Sequence, residues 1–187
     1  MAEWGTATGA YLLSGHDGPF AVERFSCSVD DDRWSWTATR EAPGSGAELG
    51  RLELHQDGSA VRLHAQAGGW ALRGAAAGGQ LVWRRGSEER TAAADGFTGS
   101  SPAHLFVAAR LATGGGRLRL VEVTEPVLGT REVRQDWSAA QAEVHDDVAV
   151  VGHRCTDPAT GSGGQVWLAD GVVLSAPGAR LLSLTLS

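Results

Sequence analysis

The stretch from Glu48 to Arg85 reads ELGRLELHQDGSAVRLHAQAGGWALRGAAAGGQLVWRR. It contains three residue pairs that favour tight turns, Asp57-Gly58, Gly68-Gly69 and Gly78-Gly79, each between short segments of alternating polarity. Such pairs readily adopt the positive φ angles that two-residue hairpin turns require. The stretch therefore predicts a four-stranded antiparallel meander.

The first turn also predicts which residues face one another. A turn centred on Asp57-Gly58 sets Leu54 opposite Val61. On the other face it sets Glu53 opposite Arg62, an opposite-charge pair of the kind that stabilises neighbouring strands.

The two glycine pairs extend the same pattern to the next two strands. They set Trp70 opposite Ala67 and Trp83 opposite Gly74. A slip of one residue would turn every side chain to the wrong face, so the agreement among strands predicts one apolar, concave face. We expect this face to contain Leu52, Leu54, Val61, Leu63, Leu72, Leu81 and Trp83.

The rest of the chain predicts further strands and one helix. Alternating residues indicate a strand at Phe20–Val29, with a bulge at Glu23-Arg24 where the apolar phase changes. Residues 1–19 are weakly patterned, and we expect the apolar segment Ala10–Leu13 to pack at the mouth of a barrel. A serine followed by proline begins a helix at Ser101–Leu111, which Gly114–Gly116 ends.

These elements predict an all-β protein, an antiparallel spiral β-roll or incomplete barrel of about a dozen strands with one short helix near residues 101–111. No fixed-period repeat or linker divides the 187 residues, so we expect one domain spanning residues 1–187.

Composition excludes several classes of partner. The 16 basic residues are outnumbered by 22 acidic ones, and the formal charge of −6 argues against a nucleic-acid-binding protein. The chain has no stretch of about 18 apolar residues and no secretory signal pattern, so we expect a cytoplasmic protein without stable membrane insertion. In that compartment Cys27 and Cys155 are expected to stay reduced.

Candidate catalytic and metal-binding groups have simpler explanations. His145-Asp146-Asp147 and the pair His153 and Cys155 do not have the spacing of a standard zinc module, so we expect no metal and no cofactor. Glu53, His55, Asp57 and His64 share the polar face of the meander, where we expect them to be solvated.

His104 and Glu23 are two further candidate residues. His104 falls on the first turn of the helix, and we expect it to be exposed. Glu23 lies at the predicted bulge, which would turn its carboxylate toward the lumen.

Tryptophan is the most unusual component of the sequence, because seven tryptophans accompany only four phenylalanines and one tyrosine. Flat aromatic rings either fill a wide core or line a pocket for an apolar or amphipathic ligand. The residues that we expect to line such a groove are Trp34, Trp36, Trp70, Trp83, Trp137 and Glu23.

Several segments in the second half of the chain resemble a known family. Val121–Leu128 followed by Gln135-Asp136-Trp137, and Val166–Gly178 with its Asp170-Gly171 turn, are similar to the late strands of the bacterial proteins described as glycolipid-binding. Ser101–Leu111 resembles the segment after the mid-chain turn of that family.

Nearer the start of the chain, Val22-Glu23-Arg24 resembles the Glu-containing first strand of the same family. The resemblance implies a spiral β-roll similar to half-barrel lipoprotein carriers. It also implies glycolipid binding.

Three functions stay open at this point. The first is binding of a lipid, glycolipid or other amphipathic small molecule in a Trp-lined groove. The second is an isomerase, cyclase or hydrolase that acts on a hydrophobic small molecule through Glu23 and a histidine. The third is a structural or interaction module with a filled core. The sequence does not indicate an oligomeric state.

Overall fold

The computed structural model describes residues 5–31, 33–145, 148–169 and 172–187. The helix, α1, spans Pro102–Leu111. The strands are β1 (Thr6–Gly15), β2 (Gly18–Asp30), β3 (Arg33–Glu41), β4 (Glu48–Asp57), β5 (Ala60–Ala67), β6 (Trp70–Ala77), β7 (Gln80–Arg85), β8 (Glu88–Ala92), β9 (Gly96–Thr98), β10 (Gly116–Thr124), β11 (Gly129–Trp137), β12 (Gln141–His145), β13 (Val148–Thr156), β14 (Gly163–Ala169), β15 (Val172–Ala176) and β16 (Ala179–Leu186). The candidate metal ligands Asp146 and Asp147 and the Asp170-Gly171 turn lie outside the described residues.

The sixteen strands of the described residues belong to one sheet. Their order is β8-β7-β6-β5-β4-β3-β2-β1-β16-β15-β14-β13-β11-β10-β9, and β12 pairs with β13. Neighbouring strands are antiparallel except for the parallel pair β9 and β10. The predicted fold class is confirmed. The number of strands exceeds the predicted dozen, in part because the weakly patterned residues 1–19 contain β1.

The sheet curls until one edge packs on its own concave face. Strand β9 contacts β5 and β6, and α1 lies in the same concavity against β4, β9 and β15. The ring of Phe97 covers Gly74 so closely that a Cβ atom there would lie 2.3 Å from Phe97 Cζ. Helix α1 and strand β9 therefore fill the concave space in which the sequence predicts a ligand groove.

The register of the meander was predicted correctly at its two glycine turns. Trp70 lies opposite Ala67, and Trp83 lies opposite Gly74. All seven residues expected on the concave face are buried.

The prediction for the Asp57-Gly58 turn was wrong. Asp57 still belongs to the strand and pairs with Ala60, so Gly58 and Ser59 form the loop and Gly58 takes a φ of 57°. Glu53 consequently lies opposite His64 rather than Arg62. The displacement is two residues, which leaves every side chain on its predicted face.

Strand β2 has no bulge at Glu23-Arg24. Glu23 pairs in register with Tyr11 on one side and Arg40 on the other, and the irregularity lies at Phe20 instead. Ordinary alternation carries Ala21, Glu23, Phe25 and Cys27 to the buried face. Glu23 therefore faces inward, but not for the reason that the sequence suggested.

The first strand was also interpreted wrongly. Residues Ala10–Leu13 belong to β1, which lies in the interior of the sheet between β2 and β16. Tyr11 and Leu13 are completely buried. Small residues such as Gly9 weaken the alternation of polar and apolar residues that marks a strand. A glycine is needed at position 9 because the Phe25 ring and the Ser183 carbonyl lie too close to admit a side chain.

The helix was predicted correctly. Ser101 is its N-cap, and the Ser101 hydroxyl accepts a hydrogen bond from the Ala103 amide at 3.3 Å. Within the described ranges, no helix has the length and apolar character needed to cross a bilayer.

Replacing Leu63 by alanine is expected to lower the free energy of unfolding by about 2–3 kcal/mol. Large-to-small core substitutions cost about 2–5 kcal/mol. We expect a loss in the lower half of this range because Leu63 lies opposite Gly74, where the Phe97 ring can move into the space that the leucine side chain leaves. Denaturant unfolding measures the change, with Arg62→Ala on the exposed face of the same strand as the control. Equal losses for the two variants would contradict the observed register.

Candidate functional site

A buried charged cluster lies where β2, β3 and α1 meet. Glu23 and Arg40 face each other across β2 and β3, and their side chains are 0% and 4% exposed. Arg40 Nε donates to Glu23 Oε2 at 2.7 Å, and the Ser101 hydroxyl donates to Glu23 Oε1 at 2.7 Å. Arg40 also donates to Glu125, in the loop between β10 and β11. We call these four residues the Glu23 cluster.

Two aromatic side chains adjoin the Glu23 cluster. Burial, and then the positive charge of Arg40, lower the pKa of His104 to about 3. Burial raises the pKa of the Tyr11 hydroxyl far above its usual range, and the Glu23 carboxylate adds to this effect. The expectation that His104 is exposed was wrong, because α1 is covered on nearly every side inside the roll.

The Glu23 cluster is arranged to hold elements together rather than to meet a substrate. Both Glu23 oxygens already accept hydrogen bonds, and the carboxylate has no contact with solvent. A general base must come within hydrogen-bond distance of the proton that it removes. The hydrogen bonds of the Glu23 cluster connect the start of α1 and the loop at Glu125 to the β2–β3 hairpin.

A second site is a cleft of about 520 Å³ between α1, the β4–β5 turn, β13 and β14. We call it the helix cleft. Phe106 and Ala109 on α1 form one apolar wall, and Val151 and Leu168 on β13 and β14 form the other. Phe106, Ala109 and Arg110 follow the three- and four-residue spacing that places side chains on one face of a helix.

Four polar side chains interrupt the apolar lining of the helix cleft: Gln56, Arg110, Thr113 and His153. Gln56 is buried and donates through Nε2 to the Gly58 carbonyl at 3.1 Å, whereas its Oε1 has no partner among the described residues. The ring Nδ1 of His153 donates to the Ser138 carbonyl at 3.2 Å, which leaves Nε2 as the nitrogen available to another group. An apolar cleft with a few polar groups is the usual form of a small-molecule site.

Two of the predicted groove residues lie behind this cleft. The Trp34 ring packs on Phe106 with their centroids 4.7 Å apart, and the Trp137 ring meets His153 edge-on at 5.9 Å. They therefore support residues that line the cleft without lining it themselves.

The other predicted groove residues do not converge on a groove. Trp36 and Trp83 are part of the packed core, and Glu23 belongs to the charged cluster. Trp70 is 44% exposed at the rim of the roll, where Arg85 stacks over its ring at 4.0 Å. The structure does not bring these six residues together, because α1 and β9 occupy the concave face between them.

The remaining sequence candidates lie apart from both sites. Cys27 and Cys155 are buried free thiols, and burial raises their pKa values to about 12 and about 11. His64 Nδ1 lies 3.5 Å from Glu53 Oε2 on the outer side of the meander. The side chain of His145 and residues 146–147 lie outside the described residues, which otherwise contain no group of three metal-binding side chains.

Sequence reasoning missed Gln56, Phe106, Arg110 and His153 as a group. The helical spacing of Phe106 and Arg110 was visible, and so was the position of His153 on a strand. Nothing in the local pattern indicated that α1 would lie beside β13 and the β4–β5 turn, since that arrangement depends on how the whole sheet curls.

No family model and no curated protein matches the chain. Among solved structures, a DUF1089 family protein from Pseudomonas aeruginosa superposes with a TM-score of 0.54 at 19% identity, over 83% of this chain and 89% of that one. A beta-barrel-like protein of the domain of unknown function DUF1849 from Brucella abortus gives a TM-score of 0.51 at 11% identity, over 100% and 99% of the two chains. At these identities the similarity shows the fold alone, which is beta-barrel-like.

Proposed function

We propose that the protein binds a hydrophobic or amphipathic small molecule, such as a lipid or glycolipid, in the helix cleft. The observation that carries this proposal is the combination of a volume of about 520 Å³ with apolar walls and the side chains of Gln56, Arg110 and His153. Sites for small ligands typically enclose about 300–1,000 Å³ and combine apolar walls with a few polar groups. The resemblance to bacterial proteins described as glycolipid-binding supports the same class of ligand.

The proposed position differs from the groove that the sequence suggested. Burying apolar surface drives such binding, and the walls of the helix cleft offer that surface. Trp34 lies directly behind Phe106, so a ligand on Phe106 would change the surroundings of a fluorescent side chain.

The alternative of an enzyme that uses Glu23 and a histidine has less support. The Glu23 oxygens are occupied by Arg40 and Ser101, and the residue is sealed from solvent. The alternative of a structural module with a filled core has one observation in its favour, since α1 and β9 fill the concave face. The binding experiment distinguishes that alternative from the proposal.

Tryptophan emission is expected to change saturably when dodecanol or dodecyl glucoside is added. Val151→Phe, which narrows the cleft at a half-buried position, is expected to weaken binding at least tenfold. The matched control is Val82→Phe, because Val82 is exposed on β7 and lies away from the cleft. Titrations followed by emission and by calorimetry measure the affinities.

Two results would overturn the proposal. Absence of saturable binding for both amphiphiles would favour the module with a filled core. Equal affinity of Val151→Phe and the unchanged protein would place the ligand elsewhere.

A further inference from the structure

A positively charged surface lies on the outer side of the meander. Residues 58–87 contain four arginines and no acidic residue, so all 22 acidic residues of the chain lie elsewhere. Three of these arginines, Arg62, Arg73 and Arg84, are exposed on the outer side of β5, β6 and β7, one on each strand. We call this surface the basic face. It is cationic in a protein whose formal charge is −6.

The strand register brings the three arginines together. Arg73 lies directly opposite Arg84 on the neighbouring strand. Arg62 lies opposite Ala75, which makes it a diagonal neighbour of Arg73. Residues directly opposite one another in a sheet have Cβ atoms about 4.5–5.5 Å apart, and like charges in such pairs are destabilising. A bound anion would relieve this repulsion, so the register favours an anionic partner for the basic face.

The arginines themselves have few partners within the protein. In the part of the chain that the structure describes, Arg62 and Arg73 form no ion pair. Arg84 donates through Nε to the Gly86 carbonyl at 2.8 Å and remains exposed. All three guanidinium groups are therefore accessible to a partner outside the protein.

Three carboxylates border the basic face from the adjoining strands β4 and β8: Glu53, Asp57 and Glu89. Two of them already have neighbours of their own, since Asp57 lies 3.3 Å from Arg33 and Glu53 lies beside His64. Glu89 lies opposite Arg84 and offsets part of its charge. The three strands of the basic face contribute no carboxylate, so its centre stays cationic.

The basic face offers charge without a large apolar anchor. Strands β5 to β7 expose no aromatic ring on this side, and Val82 is the one large apolar side chain there. Protein interfaces generally bury an apolar core. The head-group layer of an anionic bilayer instead attracts basic residues by charge alone. The composition of the basic face therefore fits a bilayer surface better than a protein interface.

The basic face also adjoins the helix cleft. Gly58, in the β4–β5 turn, lines the cleft, and Arg62 follows it by four residues on β5. Four extended residues span at most about 14 Å. A membrane in contact with the basic face would therefore lie close to the cleft.

We propose that the basic face docks the protein onto a membrane surface that contains anionic lipids. The choice of a bilayer over another polyanion rests on the proposed function, because an amphipathic ligand resides in membranes. Head-group phosphate oxygens would accept charge-assisted hydrogen bonds from the three guanidinium groups. The contact is peripheral, since the basic face presents no apolar segment that could enter the bilayer.

Sedimentation with lipid vesicles tests the docking directly. We expect the protein to bind vesicles of phosphatidylcholine that contain about one third phosphatidylglycerol, and not vesicles of phosphatidylcholine alone. Binding should be strongest at about 0.01 M salt, where the Debye length is about 30 Å, and should disappear at about 1 M salt, where it is about 3 Å.

The triple variant Arg62→Gln, Arg73→Gln and Arg84→Gln is expected to bind the anionic vesicles about a hundredfold more weakly, since each arginine near such a surface contributes about fivefold. The charge-matched control replaces three exposed arginines of β10, β11 and β13: Arg117→Gln, Arg131→Gln and Arg154→Gln. Because these lie in other parts of the sheet, the control is expected to weaken binding by less than about fivefold.

The melting temperature shows whether the triple variant is folded. We expect it to be unchanged or slightly raised, because the substitutions remove the repulsion between Arg73 and Arg84. If the triple variant does not fold, Arg73→Gln alone is compared with Arg117→Gln and is expected to bind about fivefold more weakly.

Several outcomes would overturn the inference. Absence of binding to anionic vesicles, equal binding to neutral ones, or equal affinities of the two triple variants would show that the basic face does not dock on a membrane. Binding to polyglutamate or single-stranded DNA without binding to vesicles would assign the face to an acidic macromolecule instead. Amphiphile titrations are independent of these results. If they succeed while docking fails, the proposed function stands; if docking succeeds while they fail, the proposed function alone is wrong.

Discussion

Arg40→Met is expected to lower the free energy of unfolding by about 3–5 kcal/mol at neutral pH. The substitution leaves the Glu23 carboxylate buried without its cation, and removing one partner of a buried ion pair typically costs this much. Methionine has a similar length and no polar group, so little of the loss arises from an empty space. Denaturant unfolding of the purified variant measures the change.

Two further variants isolate the charge from the packing. Arg24→Met removes an exposed partner of Glu41 on the outer face of β2 and is expected to cost less than about 1 kcal/mol. The double substitution Glu23→Gln and Arg40→Met removes both charges and is expected to recover much of the loss. If Arg40→Met were no more harmful than Arg24→Met, the Glu23 cluster would not hold an uncompensated charge when Arg40 is lost.

The second large effect is a loss of stability in acid that depends on His104. Burial keeps this ring neutral, because its pKa in the folded protein is lowered to about 3. An unfolded histidine has a pKa of about 6.5 and takes up a proton first. The contribution of His104 is therefore fully present above about pH 6.5 and is lost as the pH falls toward about 3.

The expected size follows from the same two pKa values. Each pH unit in that interval costs about 1.4 kcal/mol, so His104 removes about 4 kcal/mol between pH 6.5 and pH 3.5. The free energy of unfolding of the unchanged protein and of His104→Gln, measured from pH 7 to pH 3.5, gives the two slopes. Only the difference between the slopes matters, so any loss caused by the substitution itself cancels. Parallel curves would show that His104 takes up its proton over the same pH range in the folded and the unfolded protein.

Local patterns in the sequence predicted the meander and the helix because turn pairs, alternation and helix caps each depend on residues that are close together in the chain. Glycine pairs fixed two of three turns, and alternation assigned the faces of four strands correctly even where the Asp57-Gly58 turn was displaced. Ser101 and Pro102 marked the start of α1. Strand β1 was missed because its glycine and small residues weaken alternation.

The sites could not be predicted in the same way, since they join distant parts of the chain. Ser101 bonds to Glu23 across 78 residues, and Arg40 bonds to Glu125 across 85. Helix α1 lies in the concavity because the sheet curls around it, and no periodicity in residues 101–111 reports that position. The tryptophans were therefore assigned to an open groove, although Trp34 and Trp36 pack against Phe106 instead.

The place of β1 between β2 and β16 has a consequence for how the chain folds. From β1 to β8, each strand pairs with the next strand in the sequence. By contrast, β1 also pairs with β16, which joins residues as far apart as Ala7 and Leu186. Contacts between distant residues form slowly, because a long loop must close before they become favourable. We expect the two arms of the sheet to form early and independently. The rate-limiting event would then be the closure that joins β1 to β16.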